Sequence, residues 1–254
     1  MAFYSLSFSA TGRTRAVADL LTQVWGEPFT SIDLSDPQWS APAPFSSEDV
    51  CLVTVPAYGG RVPKPAAERL AQLEGNGASA ILVATFGNRA IDDTLRELED
   101  ILTARGFACR AAMEVVTSHS IVPQVAADRP DEADRAQLAD FVRQIREGLS
   151  NGTLPQVVTV PGSIPDKPGH SLPVHPKGDH HCTKCGLCAS RCPVGAIPVA
   201  APDTTDKTRC ITCMRCVALC PAHARGLPAP FMALGGPIMK KAFSGHKENV
   251  LYLG

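Results

Sequence analysis

Residues 182–193 read CTKCGLCASRCP, and residues 210–221 read CITCMRCVALCP. The two stretches are one pattern written twice: Cys182, Cys185, Cys188 and Cys192 before Pro193, then Cys210, Cys213, Cys216 and Cys220 before Pro221. Eight of the ten cysteines lie in these strings, so the pattern, and not general cysteine usage, decides what this part of the chain folds around. Three thiolates spaced two residues apart can meet three corners of one compact metal centre only if the backbone wraps it. A wrapped loop also turns amide N–H groups toward the sulfurs. Proline after the fourth cysteine turns the chain away and brings no N–H to satisfy. Zinc sites use paired C-x₂-C units, four ligands per ion, and a run of four close cysteines fits them poorly. A disulfide framework needs an oxidising compartment, and the segment behind Met1 (MAFYSLSFSATGRTR) lacks the apolar run of an export signal. The expectation is a reducing cytoplasm.

The C-x₂-C-x₂-C-x₃-C-P spacing resembles that of bacterial ferredoxins, which hold two [4Fe–4S] clusters and cross over at the fourth cysteine. The resemblance implies one cluster on Cys182, Cys185, Cys188 and Cys220, and a second on Cys210, Cys213, Cys216 and Cys192. His180 and His181 precede the first ligand and His223 follows the last; each reads either as a tuning group or as an exposed histidine.

The whole chain has 254 residues, 44 % of them apolar, and a net charge of −1, which allows one ordinary globular domain plus something small, with no run long enough to span a membrane. The near-zero total hides an asymmetry. Residues 1–150 carry 13 Lys/Arg against 20 Asp/Glu, a net of −7, while residues 177–227 carry 7 against 3, a net of +4. Opposite signs favour docking of the two halves, or else describe two solvated surfaces. No aromatic-interleaved basic stripe points to nucleic acid. Between the halves, residues 151–178 hold six prolines and four glycines without helical periodicity, the composition of an extended connector. The expected division is 1–150, a linker at 151–176, a small α+β unit at 177–227, and an extension at 228–254. The extension's apolar clusters suggest a helix and a closing strand packed back on a domain.

Ahead of the connector, apolar runs alternate with amphipathic segments. Residues 2–8, 29–34, 50–55, 79–85 and 107–116 read as strands, and about 13–25, 64–74, 90–105 and 130–149 as helices. Pro65 and Pro130 suit first helical turns, and Gly106 and Gly148 suit helix ends. Residues 35–49 hold at most a helical turn. Such alternation builds an α/β fold, a five-stranded parallel sheet with helices on both faces, and ligands then bind at the carboxyl ends of the strands.

Three loops fall at that end. The first is Ser9-Ala10-Thr11-Gly12-Arg13-Thr14, small hydroxyl residues around a glycine opening a helix. Backbone N–H groups, hydroxyls and the positive end of the helix dipole suit a phosphate dianion, although such residues also simply cap helices. The second is Ala57-Tyr58-Gly59-Gly60, and the third Phe86-Gly87-Asn88-Arg89. Neither G-x-x-x-x-G-K-[ST] nor G-x-G-x-x-G occurs, which favours a mononucleotide over a nucleoside triphosphate or a dinucleotide.

The first loop resembles the [ST]-x-T-G-x-T phosphate loop of flavodoxins. That resemblance implies FMN, with the ring held by the second and third loops. Tyr58 and Phe86 are then candidates to stack on or edge the ring, or else they cap the sheet. Gly59-Gly60 offers a peptide free to flip toward the flavin. His119, after the fifth strand, reads as a donor to flavin or substrate, or as a histidine satisfied within its loop. Cys51 and Cys109 lie in apolar strands and read as buried small hydrophobes. Taken together, the chain is similar to the fused flavodoxin/ferredoxin electron-transfer family. The implied function is relay of low-potential electrons between FMN and two [4Fe–4S] clusters, to or from redox partner proteins. The alternatives are an iron–sulfur flavoenzyme reducing a quinone, a nitro compound or a corrinoid, and clusters that only stabilise the fold.

Overall fold

Apolar runs bounded by helix starts produce, in chain order, β1 (Phe3–Ser7), α1 (Arg13–Trp25), β2 (Phe29–Asp33), β3 (Val50–Pro56), α2 (Lys64–Leu70), β4 (Ser79–Phe86), α3 (Thr94–Ala104), β5 (Ala108–Val116) and α4 (Glu132–Asn151). The computed structural model describes residues 2–164 and 173–254, so 165–172, inside the connector, lie outside the described residues. β1 to β5 pair in parallel in the order β2-β1-β3-β4-β5, the doubly wound order of flavodoxin-like sheets.

β3 and β4 are buried along almost their whole length, as expected of central strands covered on both faces. The two-residue period sorts their side chains. Cys51, Val53, Val55, Leu82 and Ala84 join Leu70, Leu95 and Leu98 of α2 and α3 in one apolar layer. Leu52, Ile81 and Val83 join Val17, Leu21, Leu138 and Val142 of α1 and α4 in the other. Trp25 closes the second layer by stacking on Phe3, with ring centroids 4.7 Å apart.

Several helix ends differ from the sequence expectation for local reasons. Asp92 takes φ 44°, so α3 starts only at Thr94. Pro130 stands just before the N-cap of α4, which is Asp131 in a capping box with Asp134. Gly148 does not end α4; Gly152 does, at φ 66°. Gly148 is instead where the chain folds back, since a Cβ there would lie 2.7 Å from the Leu154 side chain. The start of the connector therefore packs on the sheet, with Val158 N–H donating to Cys109 O (2.7 Å) and Leu154, Val158 and Val160 buried.

The second half contains β6 (Lys177–Gly178), α5 (Leu187–Ser190), α6 (Arg215–Ala218), β7 (Arg225–Gly226), α7 (Ala229–Ala242) and β8 (Val250–Tyr252). β6 and β7 form a two-stranded antiparallel sheet. β8 returns to the large sheet and pairs antiparallel with β5, a sixth strand added at its edge. Asn249 pins this return: its Oδ1 accepts from Val116 N–H (2.9 Å) and its Nδ2 donates to Asp134 (2.7 Å) and Gln137 (2.9 Å). α7 turns Leu234 and Ile238 outward, 75 % and 69 % exposed. Among the described residues no helix is long and apolar enough to cross a membrane.

Candidate functional site

Each cysteine string folds by the same backbone turns. Lys184 (φ 55°) and Gly186 (φ 76°) flank Cys185, while Thr212 (φ 52°) and Met214 (φ 64°) flank Cys213. Past the fourth cysteines, Gly195 (φ 58°) and His223 (φ 49°) occupy matching places, with N–H groups bonded to Cys192 O and Cys220 O, both at 3.1 Å. Left-handed residues at these intervals curl the chain around an enclosed space, at a cost that non-glycine residues bear only when the surroundings demand it. His223 thus has a structural place as the counterpart of Gly195.

The curled strings enclose two hollows. Cys192, Cys210, Cys213 and Cys216 border one. Cys182, Cys185, Cys188 and Cys220 border the other. Each set takes three cysteines from one string and the fourth from the other. Among the described residues no three His, Cys, Asp or Glu groups meet closely enough for a single metal ion. The cysteines surround a volume, which is the arrangement a polynuclear cluster requires.

Backbone donors reach the sulfurs: Ala196 N–H to Cys192 Sγ (3.2 Å), Ala224 N–H to Cys220 Sγ (3.3 Å) and Thr212 N–H to Cys210 Sγ (3.4 Å). Burial pushes the Cys213 thiol up to about 12 and raises those of Cys188, Cys210 and Cys216. Thiols so placed stay protonated until a cation takes the sulfur, and metal coordination reverses that balance. The donor set, the N–H bonds and the hollows fit iron–sulfur clusters.

At the carboxyl ends of the parallel strands, the 9–14 loop leaves the start of α1 open. Gly12 is the N-cap at φ 89° and offers no side-chain capping bond of its own, and the first turn of the helix holds no acid. A Cβ on Gly12 would meet nothing within 4 Å. Ser9 Oγ accepts from Arg15 N–H (3.0 Å), and the Thr14 hydroxyl is paired with that of Thr85 (2.8 Å). Ala10 is buried in the apolar layer. Thr11, the N–H groups beside Gly12 and Arg13 are the donors this loop presents, and they suit an anion.

In the second loop Ala57 packs on the apolar layer and its N–H donates to Thr85 O (2.8 Å). Tyr58 stands edge-on to Phe8, with centroids 6.4 Å apart. Burial raises its phenol well above the usual range; Cys213 adds to this, while Arg215 and Arg13 oppose it. Gly59 and Gly60 hold φ 59° and 81°, and a Cβ on Gly60 would strike Asp92. In the third loop, Phe86 is buried in the apolar layer, the place of a sheet cap. Gly87 packs on His119 so closely that a Cβ would lie 2.7 Å from that ring. Asn88 donates to Phe243 O (2.5 Å) and Gly245 O (2.7 Å), and Arg89 pairs with Asp92.

His119 stacks on Phe243 (centroids 5.5 Å apart), and its Nδ1 accepts from the N–H groups of Ile121 (3.1 Å) and Val122 (3.2 Å). Burial, then Arg13 and Arg89, lower it to about 4. Residues 243–245 therefore cover the third loop. The rings of His180 and His181 lie tilted against each other, with centroids 3.9 Å apart. Cys51 and Cys109 are buried in strands, and burial raises both thiols, Cys109 to about 11.

The hollow bordered by Cys213 lies against the large sheet. Cys213 belongs to the same apolar layer as Phe8 and Val55, with Tyr58 and Ile211 packed on it. Arg215 Nη1 donates to Ser35 Oγ (2.6 Å), and Arg69 Nη2 donates to Pro193 O (3.2 Å). No local sequence pattern marks Arg69, Arg215, Asn249 or Phe243, since their partners are far along the chain.

Residues 177–221 match a family model described as a 4Fe-4S dicluster domain. No curated protein matches the sequence. Similar solved structures include a flavodoxin from Streptococcus pneumoniae (18% identity, 57% of this chain and 99% of that one, TM-score 0.39). Others are oxidised Flavodoxin 2 from Bacillus cereus (13%, 58% and 99%, TM-score 0.42) and a Fusobacterium nucleatum flavodoxin bound to flavin mononucleotide (14%, 58% and 98%, TM-score 0.38). The fold assignment rests on strand order and not on these scores. The chain thus joins a segment matching a 4Fe-4S dicluster domain to a sheet with the flavodoxin order of strands.

Proposed function

We propose that the chain is an electron-transfer protein. In this reading Cys182, Cys185, Cys188 and Cys220 hold one [4Fe–4S] cluster, and Cys192, Cys210, Cys213 and Cys216 hold the other. FMN sits at the 9–14, 57–60 and 86–89 loops, and redox partner proteins supply and remove the electrons. Residues 1–150 form the flavin unit, 177–227 the cluster unit, 151–176 their connection, and 228–254 a segment that closes over the third loop. Oxygen-sensitive thiolate ligation suits a reducing cytoplasm.

The observation that carries this reading is the division of eight cysteines into two crossed sets around two hollows. FMN, when bound, supplies one- and two-electron exchange, whereas a cluster passes one electron at a time. Thr11 and the open start of α1 would bind its phosphate. Tyr58, which packs on the apolar layer that includes Cys213, would orient the ring toward the cluster of Cys192, Cys210, Cys213 and Cys216. The cover of residues 243–245 over Asn88 and His119 excludes water there and favours transfer through protein over reaction with a small acceptor.

Anaerobic purification with iron, sulfide and flavin assays on one sample tests the reading. About eight irons and one FMN per chain are expected. Full iron without flavin would leave a dicluster protein joined to an α/β unit with some other ligand. Rapid turnover with a quinone or nitro compound, with no protein partner, would favour the flavoenzyme.

A further inference from the structure

Arg225, on β7, is 4 % exposed and has no carboxylate partner among the described residues. Its guanidinium donates to the carbonyls of Pro202, Pro176 (3.0 Å) and Thr204 (3.3 and 3.4 Å), and to the Thr205 hydroxyl. Its Nε is buried without a hydrogen bond of good geometry. Neutral carbonyls replace only part of a cation's hydration, so an arginine buried this way calls for negative charge nearby.

Its surroundings say where that charge comes from. Arg225 and Pro202 border the hollow of Cys182, Cys185, Cys188 and Cys220. Two of its acceptor residues, Pro176 and Thr205, border the hollow of Cys192, Cys210, Cys213 and Cys216. Arg225 therefore borders the first hollow directly and clamps two residues that border the second. The repeat also breaks here, because the residue five past Cys192 is the buried, apolar Ile197, while the residue five past Cys220 is Arg225.

We infer that Arg225 is a positioning residue shared by both cluster sites, a buried cation that borders one and clamps the wall of the other, and that it stabilises the negative charge each cluster gains on one-electron reduction. A cluster ligated by four thiolates is already anionic, and charge and hydrogen bonds around it set its potential. The inference rests on the iron–sulfur reading.

The test is an EPR-monitored redox titration of the full chain, first shown to hold about eight irons. Arg225→Met is expected to shift both cluster potentials to more negative values, and Arg225→Lys, which keeps the charge, to stay near the parent. Unchanged potentials in a loaded Arg225→Met protein, or a shift of one cluster only, would overturn the shared role. If Arg225→Met fails to load, Arg225→Gln carries the same expectation. Loss of iron from both neutral variants, with Arg225→Lys still loaded at parent potentials, would support the charge role. Loss from Arg225→Lys as well would assign the residue to backbone clamping alone and overturn the inference. Absence of iron from the parent chain would defeat the iron–sulfur reading itself.

Discussion

Gly12 is exposed at φ 89° with open space where a side chain would stand. A leucine there strains the backbone by about 1–2 kcal/mol and lies over the free N–H groups of α1. Gly12→Leu, and Thr11→Val by loss of a hydroxyl, should weaken FMN retention about tenfold or more while leaving the cluster absorbance intact; flavin release on dialysis reads the effect. His119 makes a second residue-scale prediction. Folded, it stays neutral down to about pH 4, whereas an unfolded histidine takes a proton near 6.5. Between those values the unfolded chain binds the extra proton, so stability present above about pH 6.5 is lost as pH falls through about 4. After solvent screening the loss is on the order of 2 kcal/mol. Thermal melts across that window should fall more steeply for the parent than for His119→Gln.

At the scale of elements, β8 is three residues long and depends on the side chain just before it. Asn249 is 4 % exposed and bonds to β5 and α4 at once. Asn249→Ala leaves the buried Val116 N–H without its partner and should cost about 1–3 kcal/mol. Amide exchange of β5 and β8 should rise before that of β3 and β4. The parallel strands and the two repeated cysteine strings were legible in the sequence because periodicity and spacing are local signals. β3 and β4 carry continuous apolar runs, and each cysteine string repeats its turns. The pinning of Asn88 by residues 243 and 245, the fold-back at Gly148 and the cation at Arg225 were not legible. Each depends on which distant residue arrives beside it, and no window of neighbouring residues encodes that. The reading of 228–254 as a helix and a closing strand matches α7 and β8, while their attachment through Asn249 was hidden for the same reason.

At the scale of the molecule, the acidic residues 1–150 and the basic residues 177–227 meet through polar and apolar contacts. Arg215 binds Ser35, Arg69 reaches Pro193, and Cys213 packs with the sheet's apolar layer. Arg215→Ala should loosen this contact by about 1 kcal/mol, and added salt should weaken any long-range attraction between the halves. Slower flavin reduction through the clusters, at unchanged iron and FMN content, would register it. Tyr58 packs on the apolar layer that includes Cys213, and its phenol feels both Cys213 and Arg13 of the 9–14 loop; in the proposed function this is the path between the flavin and the cluster of Cys192, Cys210, Cys213 and Cys216. An anaerobic reductive titration of the intact chain, with flavin and cluster signals followed together by absorbance and EPR, tests this most directly. Flavin and clusters exchanging electrons within one chain, at a rate independent of protein concentration, is the expected result; flavin that reduces only through collisions between chains, or a loaded protein without flavin, would refute the internal relay.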